Sequence, residues 1–418
     1  YELAVPTGQS LEQAKQETGY VSHVFWKKNP GFLIVHNSIK DGLMQKAGYI
    51  KYWWDDSSKV SFHRYEGLND EQLLVTLQSL AQKGEAEVVG QSQDEAGLWS
   101  IKVRLKKKYG CLKIENVPPD EIIVDSECRA GIKTAKLAGH IRKLSRSDLM
   151  EMGYPRKVVN GLTSYTASNN LGEKLARDSV NESASLLNDE DEADWASVEL
   201  TLLECYTYLD VDGDGIAELR KFLLAGEDVL ENEEWDEIPF ESWTPLIIPH
   251  RHTGLSVYDI MEELWRIKTA LQRGLLDNTY FTMNPRTAYD KNLVDVATLQ
   301  INRPGGHIAV DGPPGMSLMT APVQPMAGAL LPIIDYFDQV RETRTGVGRM
   351  TSGVDANVLA QSTKGAYTDA KSAANQRIEM IARIYAETFM ASLWQSIHKK
   401  LSQHQNQPVQ FQLRKEWM

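Results

Sequence analysis

PHRHTGLSVYDIMEELWRIKTALQRGLLDNTYFTMNPR, residues 249–286, decides the fold. Ser256 with Asp259 three positions on makes a capping box, so a helix starts there. Ile260, Leu264, Ile267, Leu271 and Leu275 recur at spacings of three and four, an apolar stripe about 100° wide. The helix runs to about Met283, where Asn-Pro-Arg stops it, a length of roughly 40 Å. Arg266, Lys268 and Arg273 fall off the stripe and leave a polar face. Beyond it, residues 284–325 hold short apolar runs punctuated by NRPGG and DGPPG, which predicts a small β module on tight turns.

A second helix is expected over 326–345. Leu330, Ile334, Phe337 and Val340 or Arg341 form its inner face, Pro332 falls in tolerated first turns, and Gly346 closes it. TGVGRMTSGVDANVL is then a loop with Arg349 at its middle. The last helix is expected from about Gln361 to Leu401. Ala366, Ala370, Ala373 and Ala374 let a neighbour approach its first half. Ile378, Ile381, Tyr385, Phe389 and Leu393 line its second half. An unbroken helix of about 40 residues needs neighbours along its length, which predicts copies packed side by side.

Upstream the pattern is α+β. Helices are expected around Leu11 to Glu17 ending near Gly19, and over SIKDGLMQKAG with Ser38 as cap, Asp41 as its partner and Gly48 as terminator. Others are expected over 69–83, capped by Asn69 or Asp70, and after Ser145 with Asp148. YIKYWWDD, EAEVVGQ, LWSIKVRLKKKYGCLKIENV and EIIVDSE read as strands. The lysines at 106–108 beside alternating Ile101, Val103 and Leu105 read as a solvated strand end or hairpin rather than a nucleic-acid patch. About 166–196, with NDEDEAD, reads as an exposed acidic loop.

Composition bounds the function. The 418 residues carry 42% hydrophobic and 24% charged residues, the balance of an ordinary globular protein. No run approaches the apolar length of a membrane span. The first residue is Tyr1 rather than Met, which predicts a cut N-terminus. Cys111, Cys128 and Cys205 are too scattered for a disulfide framework or zinc cluster and read as reduced thiols. A net charge of -12 excludes a protein that grips nucleic acid over its whole surface, though not one that lets DNA slide past.

Three motifs invite chemistry. In DVDGDG, Asp210, Asp212 and Asp214 with Gly215 match the first half of a calcium loop. Lys221 stands where the closing glutamate belongs, the flanks are strands, and a tight hairpin uses the same residues. Both a bare hairpin tip and a Ca²⁺-stabilised one remain open on this pattern. His250 and His252 would share a face of an extended segment, with no third ligand near; they read as a structural pair. NRPGG lacks the helix and Lys-Ser/Thr of a phosphate loop and reads as a turn.

The words of residues 249–286, NRPGGHIAVDG and RETRTGVGRMTSGVDANVL, in this order and with these gaps, resemble the portal proteins of tailed bacteriophages. The short-tailed (podovirus) branch is the closest in wording, and DVDGDGIAEL and PPDEIIVD fit it too. The resemblance covers most of 30–405 and implies an α+β portal fold. That fold would have a wing over 1–250, stem helices over 251–283 and 326–345, and a clip over 284–325. A channel loop would follow over 346–361, then a long wing or crown helix over 362–405. Residues 406–418 would open a C-terminal part that the branch continues beyond RKEWM. It further implies a twelve-fold ring of about a dozen copies at one capsid vertex, through which double-stranded DNA is packaged and ejected. The partners implied are the major capsid protein, scaffolding protein, large terminase and tail adaptor proteins, with no membrane. The particle would assemble in the host cytoplasm.

On that pattern Arg344, Gly346, Gly348, Arg349, Gly353 and Lys364 would face DNA. Pro285, Arg286, Arg303, Pro304, Gly305 and Gly306 would form the docking surface of the clip. An acidic ring wall with few cations suits low-friction passage. Two other readings compete: a different head–tail structural protein, and a calcium-dependent hydrolase built on the aspartates and histidines. Adaptors are usually far shorter and lack two stem-length helices around a β module. Against the hydrolase, the chain holds no GxSxG, HExxH, P-loop or CxxC pattern, so no enzyme activity or cofactor is expected.

Overall fold

The computed structural model describes residues 11–56, 58–81, 85–93, 99–108, 110–163, 195–301, 305–321, 323–347 and 376–405. The chain divides into two units, Tyr1–Ser256 with Arg383–Met418, and Val257–Ala382.

In the first unit, α1 (Leu11–His23) runs past Gly19, the expected stop, into a π turn over Val24–Lys28. Asn29 ends it: its Nδ2 donates to the carbonyls of Val24 (3.1 Å) and Leu112 (3.0 Å). α2 (Gly31–Gln45) begins well before Ser38. That serine is no cap but a buried interior residue, its hydroxyl bonding the Val35 carbonyl (3.0 Å) and the Tyr385 hydroxyl (2.9 Å). Lys46, at φ 75, ends the helix, and Gly48 is the first residue of β1 (Gly48–Asp55).

β2 (Ser58–Leu68), which no sequence pattern announced, precedes α3 (Asp70–Ala81). β3 (Glu85–Gln93) and β4 (Trp99–Lys108) complete an antiparallel sheet in the order β2-β4-β3. Leu80 of α3 packs on Ile101, Val103 and Leu105, the inward residues of β4. β5 (Cys111–Val117) leaves that sheet and pairs with β1, so the long strand-like run 98–117 serves two sheets.

The largest sheet has the order β10-β9-β8-β7-β6. Its strands are β6 (Ile122–Val124), β7 (Leu137–Ser145), β8 (Glu199–Leu209), β9 (Glu218–Ala225) and β10 (Asp228–Glu234). α4 (Arg146–Glu151) and α5 (Arg156–Gly161) follow β7, and the expected capping box of Ser145 and Asp148 is present in both directions. β11 (Phe240–Trp243) joins the free edge of β1. Tyr49, Val117, Ala138, Tyr206, Ile238 and Phe240 pack together as a core drawn from both sheets. The acidic segment lies almost wholly outside the described residues.

The second unit is a helix pair with a small excursion. α6 (Val257–Met283) and α9 (Ala327–Thr345) are its helices. Between them lie β12 (Thr287–Tyr289), α7 (Val296–Gln300), α8 (Pro314–Ser317) and β13 (Leu318–Thr320). The excursion is less β than its runs predict. Among the described residues, β12 and β13 alone pair, beside one Val294–Val310 bridge, because the Asp295 side chain accepts the Ala297 N–H (3.0 Å) and winds VATLQ into a helical turn.

The final helix, α10, is described over 376–404 and is not the unbroken α-helix expected. A π turn over Tyr385–Met390 interrupts it. The wider turn lets Tyr385 and Phe389 both be buried, after which Leu393, Ile397 and Leu401 recur every four residues inward.

Candidate functional site

Trp243 shows how tightly the first unit is built. Its indole lies against Tyr385 (centroids 4.8 Å) and donates to the Ser38 carbonyl (3.0 Å). A Cβ at Gly42 or Gly48 would fall 2.5–2.6 Å from that ring. These glycines are there for close approach, and one of them is what the sequence presented as a helix terminator.

Charges are buried in the same unit. Lys51 Nζ sits 2.6 Å from Glu204, and both side chains are nearly inaccessible (4% and 6%). Arg142 reaches the same carboxylate at 3.2 Å, and the Tyr206 hydroxyl donates to its other oxygen at 2.5 Å. Burial by itself would raise the Glu204 carboxyl. The Lys51 ammonium, the two hydrogen bonds and Arg142 outweigh it and hold the carboxyl at about 2. Lys133 pairs with Glu241, which also accepts from Ser396 (2.8 Å) on α10. None of this was singled out in the sequence. The signal was there, in a lone lysine within YIKYWW and a lone glutamate within TLLECYTYL.

The three aspartates do come together, fully exposed, with one oxygen of each within 4.8 Å of the others. They occupy the tip between β8 and β9. Asp210 accepts the N–H groups of Gly213 (2.6 Å) and Gly215 (2.9 Å), Asp212 that of Asp214 (3.1 Å), and Asp214 that of Ile216 (2.7 Å). Gly213 and Gly215 take φ of 79 and 88. This is turn chemistry. Lys221 points elsewhere, to Glu231 at 2.8 Å. His250 stands at φ 65, so its segment turns rather than extends, and the expected shared face of the two histidines is lost. His252 accepts or donates at Tyr49 (3.1 Å) and bonds the Ala130 carbonyl (2.8 Å), and burial lowers its ring pKa.

In the second unit Arg344 donates from its guanidinium to the Ile260 carbonyl (3.2 Å), and Gly346 ends α9 at φ 74. Arg377 donates to the carbonyls of Thr343 and Arg344, satisfying the open end of α9. Gly348, Arg349, Gly353 and Lys364 lie outside the described residues, as do Arg303 and Pro304. Arg286 stacks over Phe281 (5.6 Å) and its carbonyl accepts the Ala321 N–H (2.9 Å). Pro285 is half-buried, whereas Gly305, at φ 74, and Gly306 are exposed.

The helix pair corrects the predicted stripe. Ile267 is exposed, and Lys268, placed on the polar face by its spacing, instead lies 2.6 Å from Asp338 of α9. Arg341 reaches the same aspartate at 3.6 Å. With Met261, Leu264, Trp265 and Phe337 these three line a shallow cleft. Lys268 and Asp338 are both mostly screened from water, so the pair is worth more than a surface bridge. Asp338→Ala should cost the helix pair about 1–2 kcal/mol and raise amide exchange along α9. Unchanged exchange would reduce the pair to decoration.

An α+β body with a buried charge network and a helix pair with broad bare apolar faces is the build of a structural subunit. The three aspartates satisfy the backbone of their own turn, as a hairpin tip would, and His252 makes the packing contact expected of a structural pair. The chain belongs to the phage portal protein family: the family model described as the phage SU10 portal protein matches residues 5–418. No curated protein matches it. Portal proteins are structural components of the phage capsid, the head–tail connectors used in DNA packaging, and they work as oligomeric rings that meet capsid, terminase and DNA. Among the described residues no helix is long and apolar enough to cross a membrane.

Proposed function

We propose that about a dozen copies of this chain close into a ring at one capsid vertex, with the channel for double-stranded DNA on its axis. The observation that carries this is the helix pair itself, which buries Leu264 and Ile334 but leaves Trp265, Leu276, Tyr280 and Tyr336 more than half exposed. A pair so bare needs neighbours. In this reading α6 and α9 are the stem, and residues 284–325 are the clip on which the large terminase docks first and the tail adaptors later. Residues 346–361, with Lys364 close behind, form the loop that meets DNA, anchored where Gly346 and Arg377 fix the end of α9. The major capsid and scaffolding proteins meet the wing. The chain has no catalytic role; packaging energy comes from the motor. The aspartate tip serves as a hairpin whose carboxylates satisfy its own backbone.

Native mass spectrometry with two-dimensional electron-microscope class averages tests the ring. A ring of about a dozen subunits with an open channel is the expected result, and a stable monomer or dimer of the full-length chain would overturn it. Within the ring, Arg349→Ala should assemble normally yet alter DNA packaging or retention, because it removes a cation that touches passing phosphates. Unchanged genome length and particle yield would remove Arg349 from that role.

A further inference from the structure

The most exposed apolar residues of the helix pair gather mainly on two lines, with Leu331 (51%), Ile267 and Phe281 standing off them. At about 100° per residue, Tyr258, Trp265, Leu276 and Met283 of α6 fall on one line, roughly 110° around the helix from the Leu264 side that meets α9. On α9, exposed Ala329, Ile333 and Tyr336 with half-buried Val340 form a second line at spacings of four, three and four, roughly 130° from Ile334 in the opposite rotational sense. The two helices are antiparallel: Asn278 meets the Met326 N–H, Lys268 meets Asp338, and Arg344 meets the Ile260 carbonyl. Reversing one helix reverses its sense of rotation when both are viewed from one end. The two bare lines therefore face opposite sides of the pair.

The sizes match an interface core. Trp265 is 55% exposed, Leu276 56%, Tyr280 65% and Met283 72%, with Tyr336 at 60% and Ile333 at 43% on the opposite side. Large side chains carry ~150–250 Å² each, so one side offers on the order of 500 Å², the apolar centre of a standard interface of ~800 Å² per partner. Two different surfaces on opposite sides of one element cannot satisfy each other within a copy. They satisfy each other between copies, head to tail, and such a contact repeats until a ring closes.

We propose that the Trp265–Leu276 line of one copy packs on the Ile333–Tyr336 line of the next, a second copy of this chain being the occupant of each face. The inference rests on the ring reading and names the contact that makes it. Rotation about an axis along the pair keeps levels, and the Lys268–Asp338 and Asn278–Met326 bonds put Leu276 level with Ala329 and Trp265 level with Val340.

The experiment pairs Leu276→Cys with Ala329→Cys, and separately Trp265→Cys with Val340→Cys, in assembled full-length chain under mild oxidation. Disulfides need Cα atoms within about 7 Å, so only neighbours in register will join. The expected result is a ladder of covalent multimers from either double variant and none from its single variants. A ring in the microscope without a ladder at either level would overturn this contact and leave the ring reading standing. A ladder from Leu276→Cys alone would mark a two-fold contact and overturn it. Absence of any ring in the parent chain would overturn both.

Discussion

Glu204→Gln should lower the stability of the α+β unit by about 3–5 kcal/mol, the largest loss expected from any single uncharging in this chain. The substitution keeps the shape of the side chain and removes its charge. Lys51, 4% exposed and 2.6 Å away, would then stand buried with no acid beside it, and Arg142 would lose the same anion. For a unit of this size the shift in Tm is on the order of 10 °C. The pair Lys51→Met with Glu204→Leu should recover most of the loss, since apolar residues of similar volume need no compensation in a core.

The pH profile identifies the cause. Glu204 titrates at about 2 in the folded chain against 4.5 when unfolded, so its contribution is complete above 4.5. It is lost as pH falls from there towards about 2. Glu204→Gln should lack that acid limb. His140, buried beside Glu121 at 3.4 Å, is lowered by burial from 6.5 and adds a decline as pH falls below that value in both proteins. A Glu204→Gln chain with unchanged Tm and the same acid limb would mean that the carboxylate does not hold these two sheets.

What the sequence made legible was local or periodic. The Ser145–Asp148 box spans one turn, and α6 and α9 announce themselves by a 3.6-residue rhythm and by Gly346. What stayed hidden depends on partners distant in sequence. Ser38 looks like a cap only while Tyr385 is unseen, since the two hydroxyls are 347 positions apart. Lys268 looks like surface until Asp338 is placed opposite it. β2 went unread because Ser61, His63 and Arg64 dilute its alternation, and pairing with β4 is what makes it a strand. For the site, the words around residues 249–286 and 341–359 pointed to the family that the whole chain matches. They could not say which side of α6 or α9 is bare, because that requires knowing which side its partner covers.

Gly254→Ala carries the other large expected effect, and it acts through a single methyl group. A Cβ at Gly254 would lie 1.9 Å from the Leu246 carbonyl oxygen and 2.6 Å from Thr244 Oγ1. Neither atom is the loose end of a flexible side chain. The Leu246 carbonyl accepts the Leu255 N–H at 2.9 Å, and Thr244 Oγ1, on a buried residue, accepts the Gly254 N–H at 3.1 Å. To admit the methyl the chain must break the Leu246–Leu255 bridge or part the two backbones. Overpacking of this kind costs about 1–3 kcal/mol, and a clash with backbone belongs at the upper end. The same exchange at Gly161, where a Cβ meets nothing within 4 Å, should leave stability within about 0.5 kcal/mol. Thermal unfolding of the two variants beside the parent chain decides the matter. If Gly254→Ala melts with Gly161→Ala, the slot at Leu246 relaxes freely, and the glycine of HRHTG is there for a reason other than space.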